Sequence, residues 1–489
     1  MAAYTQDNPP PIGDDSFPHE KTSLPGSNDE LESGGSKSFE KDGGVRARAV
    51  TITEAQEGGE IIYRSMSWQK CAALLYGEYV CLAILAFPLS FSVLGMAGGI
   101  LTTFGVGIVT LYTSLNLWRY CMLHPDLLNI CDIGYHIFGK SRIAYELTAI
   151  ALILNNVMIQ GLHTLTGAEI LNTLSNHGIC TVAFSIIVMI ICLICTIPRK
   201  LEHVALMGIF SAFSMAISIL LVLIFHGIQG REPNVANFDE PVYITAWAPP
   251  GTTFVQGFNA GALPIIFTYV GQALYPSFIA EMRDPNDFPK ALYALTIMEF
   301  ITFTVVGVVV YYYAGQYTVA PAVGTLGPVF KKIAFAFVFP TTIIIGVIYA
   351  SVAAKYIFGR IFLGTRHYNN HTALGWAGWI GCVSVTWVFG WVIGEAIPFF
   401  GTLLSLMSAL FDGWFGFIFW SAAFFEINRG NLWKNQGFRR KAETAFNWFL
   451  ILAGAFIFGP GIYTSVESII DNYRTGSIKA PFTCADNSL

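Results

Sequence analysis

Eleven apolar runs, each near the ~20 residues that cross a bilayer as a helix, constrain this chain more than any other feature. They fall at residues 71–92, 98–121, 143–171, 180–197, 204–227, 252–280, 292–314, 333–363, 374–393, 399–425 and 444–466. In lipid, only helices and closed barrels satisfy every backbone N–H and C=O. The expected fold class is an all-α polytopic membrane protein with about eleven transmembrane helices. Charge usage agrees: Asp, Glu, Lys and Arg are 12% of the 489 residues, half of the roughly 25% in soluble domains.

Orientation follows the placement of Lys and Arg rather than the net charge of −5. With the N-terminal residues in the cytoplasm, all but five of the 27 Lys and Arg fall inside. The exceptions are Arg231, Lys331, Lys332, Arg474 and Lys479. This positive-inside pattern predicts an odd number of spans, with N inside and C outside. The sequon Asn370-His371-Thr372 then lies inside and is expected to stay unglycosylated. Cys180 and Cys484 both fall outside, where a disulfide is possible. Cys192 and Cys195 sit within an apolar run and read as small buried residues.

Four regions follow. Residues 1–66 form a Pro-, Ser-, Gly- and acid-rich tail that buries no core and is expected to be disordered. It holds no signal-peptide h-region, so the first span is expected to act as its own insertion signal. Its Lys21, Lys37 and Lys41 are either solvated or a handle for a ubiquitin ligase adaptor. Residues 67–426 hold helices 1–10, the core of the fold. Residues 427–466 hold a cytoplasmic loop and helix 11, and 467–489 a short outer tail. The stretch 124–140 reads as a short helix on the inner surface, and the loop before span six as ordered but irregular.

Two spans are unlike the rest. The first carries Glu78, Pro88 and terminal glycines, none of which a lipid anchor needs. Pro88 has no N–H, so the carbonyl of Ile84 loses its helical partner. Alone, this is either a binding segment or a kinked helix with its acid near water. The sixth span carries Gly257, Gly261, Pro264, Gly271 and Pro276. Pro264 frees the carbonyl of Ala260, and Pro276 that of Gln272, which predicts non-helical backbone over 268–272. Broken spans five apart mark the substrate site of transporters built from inverted repeats. The candidate substrate-binding residues are Ala83, Ile84, Leu85 and Ala86 in span one, and Thr268, Tyr269, Gly271 and Gln272 in span six. Asn156 and Gln160 share a face of span three with His163. That face either lines a cavity or bonds to neighbouring helices.

Glu78 is the candidate for proton carriage, because an acid inside a span is functional by default. Glu299 and Asp412 read as structural partners. Lys355, one turn past Ser351 in span eight, either snorkels to the surface or faces inward. No nucleophile elbow, zinc-helix, phosphate-loop or His/Cys pattern is present, so no catalytic residue, metal ligand or cofactor is assigned. Nothing reads as a nucleic-acid face.

The pieces SMSWQKCAALLYGEYVCLAILAFP, DIGYHIFGK, IFTYVGQALYPSFIAEMRDPNDFPKAL and IYASVAAKYIFGRIF resemble the amino acid/auxin permease family, in its fungal neutral amino acid branch. The resemblance covers roughly residues 65–465. It implies eleven helices, ten of them in the five-plus-five inverted repeat of the amino acid–polyamine–organocation superfamily. It also implies import of neutral amino acids, usually with protons. The sequence departs from the family pattern at Ala83, where Gly is usual, and at Val270-Gly271-Gln272, often Gly-Gly-His. Both changes add side chain beside the expected substrate. In sodium-coupled relatives a span-eight hydroxyl helps hold the ion; the resemblance sets Ser351 at that place, and Lys355 one turn away, if buried there, would disfavour sodium.

The reading is a plasma-membrane symporter for neutral, aromatic or aliphatic L-amino acids, driven by protons and needing no cofactor. A permease-like sensor, a channel, and a sodium-coupled or vacuolar carrier are the alternatives.

Overall fold

The computed structural model describes residues 66–127, 129–199, 201–231, 241–433, 437–475 and 480–488. The tail with Lys21, Lys37 and Lys41 lies outside them, apart from its last residue, Met66. Every apolar run becomes helix. The first span is α1 (Trp68–Tyr79), a 3-10 turn (Leu82–Ala86) and α2 (Phe87–Leu94). Then come α3 (Met96–Leu123), a short α4 (Ile130–Ile137), α5 (Arg142–Ser175), α6 (Thr181–Thr196) and α7 (Leu201–Gln229). The sixth span is a π-helical stretch (Gly257–Ala262) followed by α8 (Leu263–Tyr269) and α9 (Tyr275–Glu281). α10 (Phe288–Ala314), α11 (Pro328–Phe362) and α12 (Ala373–Ala396) follow. The tenth span is α13 (Phe400–Met407), a second π-helical stretch (Ser408–Ile418) and α14 (Phe419–Ile427). α15 (Phe438–Arg474) ends the helical part.

By length and composition, up to nine of these cross a membrane, counting the bent first span as one. The fourth run gives a helix of only 16 residues, and the sixth is in pieces. The last helix runs to Arg474, so the expected tail from 467 begins as helix. Its polar turns are compatible with that: Arg474 pairs with Asp471 one turn back, at 3.9 Å. Cys180 and Cys484 form a disulfide. Asn129 caps α4, the expected surface helix, accepting the N–H groups of Cys131 and Asp132.

The helices sort into two groups. α1, α2, α3 and α10 pack together, as do α5, α6, α11 and α12. Small residues set the second group. A Cβ on Gly161 would stand 2.5 Å from the Gly390 carbonyl oxygen, and one on Gly394 2.6 Å from that of Gly161. The backbones of α5 and α12 therefore touch, as small residues allow in lipid, where there is no hydrophobic drive between helices. Hydroxyls join α7 to α11: Ser214 donates to the Phe337 carbonyl at 2.7 Å, and Thr341 to that of Ser211 at 2.9 Å. The loop before the sixth span is irregular but anchored where described, since the N–H groups of Met96 and Ala97 bond Thr245 and Ala246 at 2.8 Å.

Spans one and six cross head to tail. Met66 pairs with Met282, and its carbonyl accepts from Arg283 at 2.9 Å, so the start of one lies at the end of the other. Tyr79 and Tyr275 share a hydroxyl hydrogen bond nearer the middle. At the far end, Ser90 in α2 donates to Ala260 in the π-helical stretch at 3.0 Å.

Candidate functional site

The prolines mark where helix restarts, rather than where it fails. Pro88, Pro264 and Pro276 all sit at the first or second position of a helix, where a missing N–H costs nothing. In span one the interruption falls earlier, at Val80 and Cys81. α1 stops there, and the carbonyls of Gly77, Glu78 and Tyr79 lose the i+4 donors a continuing helix would supply. The Ile84 carbonyl, expected to be free, accepts the N–H of Phe87 in the tighter 3-10 turn.

In span six the non-helical run is 270–274, two residues later than expected, and Thr268 and Tyr269 remain helical. The Ala260 carbonyl that Pro264 frees is taken by Ser90, and the neighbouring Asn259 carbonyl by Ser405 at 2.7 Å. Gln272 keeps a partner too, accepting from the Tyr275 N–H at 3.2 Å. Gly271 is required here. A Cβ would lie 2.5 Å from the Tyr79 hydroxyl and 2.8 Å from its ring.

Between the two interruptions lies a cavity of about 70 Å³. Of the sequence candidates, Glu78, Ala83, Asn156, Thr268 and Gly271 line it. Glu78 is half-buried, and its Oε1 accepts from the Tyr349 hydroxyl at 3.2 Å. Asp412, from the π-helical part of span ten, also lines the cavity; it is 5% exposed and its Oδ2 has no hydrogen-bond partner. The cavity wall thus carries two carboxylates and no basic side chain.

The other candidates lie elsewhere, because neighbouring positions on a helix face different ways. Ile84, Leu85 and Ala86 are buried in protein. Tyr269 turns to α10, with its ring 5.1 Å from that of Phe303. Gln272 turns to α3, where its Nε2 reaches Thr113 at 3.4 Å. Gln160 bonds the Asn156 carbonyl at 3.2 Å, beside Gly390 of α12, and His163 bonds that of Ile159 at 2.8 Å. Of the three polar residues on that face of span three, one meets the cavity and two pack between helices. Ser351 is buried without a partner, and Lys355 is half-buried; neither lines the cavity. Glu299 is buried in α10, away from it.

Sequence reasoning weighed Asp412 only as a structural partner and passed over Tyr349. Asp412 had a signal, being an acid within a span; Tyr349 had none.

Two interrupted helices crossing head to tail around a small cavity that holds two carboxylates are the arrangement found at the substrate site of secondary transporters. The fold is similar to that of Mhp1, a nucleobase-cation-symport-1 family transporter solved in a closed conformation with bromovinylhydantoin bound. The TM-score is 0.50 at 16% identity, over 84% of this chain and 93% of that one. A family model described as transmembrane amino acid transporter protein matches residues 64–467, and the chain belongs to that family. It is 32% identical over 436 residues to the N amino acid transport system protein of Neurospora crassa, covering 88% of this chain and 91% of that protein. It is 28% identical over 437 residues to a transmembrane transporter of Gibberella moniliformis, covering 87% and 89%. GABA transporter 1 of Arabidopsis thaliana is 26% identical over 290 residues, 55% of this chain and 61% of that one. The protein is a multi-pass amino acid transporter and not an enzyme.

Proposed function

We propose that the chain imports neutral L-amino acids across the plasma membrane by proton symport. Its eleven spans would form two inverted repeats of five plus one further helix. The N-terminus is cytoplasmic and the C-terminus external. The Cys180–Cys484 disulfide supports this orientation, since it lies on the face opposite the basic loops, where an oxidising compartment suits it.

One observation carries the reading: the cavity between the two interruptions holds two carboxylates and no base. A zwitterion brings both charges with it. Its ammonium meets the carbonyls at the end of α1 and the Asp412 carboxylate. Its own carboxylate needs N–H donors, which the start of the turn Leu82–Ala86 offers. Glu78 stays free to load and release a proton. The cavity favours small aliphatic side chains. At about 70 Å³ it is half of the about 150 Å³ that accommodates a benzene ring, so aromatic substrates require it to widen.

Reconstitution in liposomes with an imposed pH gradient tests this. Saturable uptake of alanine above equilibrium, driven by external acid and indifferent to sodium, is expected. Uptake that follows sodium instead would replace the coupling ion. Uptake that never exceeds equilibrium would end the symport reading.

A further inference from the structure

The chain carries a second cluster of ionisable groups, far along the sequence from the cavity residues of spans one and six. His124 caps the end of α3, His136 is in α4, and Glu426 is at the end of α14. Each can offer one ligand atom, and the three atoms lie within 4.8 Å of one another. All three residues are half-buried, so the cluster is open to solvent on one side. We propose that His124, His136 and Glu426 form a binding site for a divalent transition-metal ion, with Zn2+ the chemical match, clamping α3, α4 and α14 together.

The donor set decides the class of ion. Two imidazoles and a carboxylate suit zinc and its neighbours, whereas magnesium and calcium take oxygen ligands. Three protein ligands with one open side leave a fourth, tetrahedral position for water. The surroundings complete the arrangement. The Tyr120 hydroxyl, fully buried, donates to Glu426 Oε2 at 2.8 Å. It has one proton to give, so in its 2.6 Å contact with His136 the ring Nδ1 is the donor. That fixes the tautomer and leaves the lone pair on His136 Nε2 for an ion. A ligand histidine held through its other nitrogen is the usual outer arrangement of a zinc site. The three ligand atoms already lie within 4.8 Å of one another and the His124 and His136 rings are 4.5 Å apart, so small side-chain rotations close the set.

The test uses the full chain in detergent, stripped with a chelator and with its free thiols alkylated, so that the seven free cysteines do not compete. Equilibrium dialysis against Zn2+ is expected to show one ion per chain. H136A and E426Q should each lose that ion, and Tyr120→Phe should weaken it about 10-fold while leaving the ligands in place. Magnesium at the same concentration should not displace it. Wild-type protein that takes up no zinc overturns the proposal. So does zinc retained in H136A and E426Q, which would place it on other residues. Should either variant fail to fold, His124→Asn, at a half-buried cap position, provides the same comparison.

Discussion

The two interrupted spans solve one problem with different chemistry. Span one breaks without a glycine: α1 ends at Tyr79, Val80 leaves the helical conformation, Cys81 is extended, and a 3-10 turn resumes. It sends its acid, Glu78, into the cavity from the helix just before the break. Span six sends no charge into the cavity and needs Gly271, because Tyr79 of span one fills the space a side chain would use. One break supplies chemistry; the other yields room. The carbonyls loosened in the π-helical part of span six are bonded by hydroxyls from spans one and ten.

Removing the charge from span one should have the largest effect. Glu78→Gln is expected to abolish concentrative uptake while substrate exchange persists, measured in liposomes with and without a pH gradient. Undiminished uphill uptake in that variant would remove Glu78 as the proton carrier. Next, Gly271→Ala should drive a methyl into Tyr79 and cost about 1–3 kcal/mol of stability, with loss of uptake. Pairing it with Tyr79→Ala should recover part of that loss. Additive losses in the double variant would show that the two residues do not share the space.

Ser90→Ala removes the donor to Ala260 and should cost about 1 kcal/mol in thermal unfolding, with Ser405→Ala similar at Asn259. If neither changes stability, the loosened carbonyls find other partners. The smallest expected change is at Ala83. Ala83→Gly should let bulkier neutral amino acids compete a few-fold better, with little effect on alanine uptake. An unchanged competition profile would separate Ala83 from the choice of substrate.

Much of this fold was legible in the chain because lipid leaves the backbone few options. Run lengths gave the helices, and Pro and Gly clusters pointed to the right two spans. The clusters misplaced the breaks by a few residues, since a proline is tolerated best just after a break, at the head of the next helix. Rotation about a helix axis was the other loss. Thr268 and Tyr269 are neighbours in sequence, yet one lines the cavity and the other packs on α10. Single-sequence polarity cannot rank such neighbours, because both positions lie within one apolar run.

By itself, the sequence determined the class: a bundle of apolar helices, two of them interrupted, with an acid beside the first interruption. Local chemistry dictates each of those, through hydropathy, the missing N–H of proline and the cost of charge in lipid. Only the tertiary structure decided which residues meet. Asp412 joins Glu78 across more than three hundred residues, and Glu426 joins His124 and His136. Those meetings depend on how the helices pack and turn, which is set by contacts such as Gly161 against Gly390, far from the residues brought together.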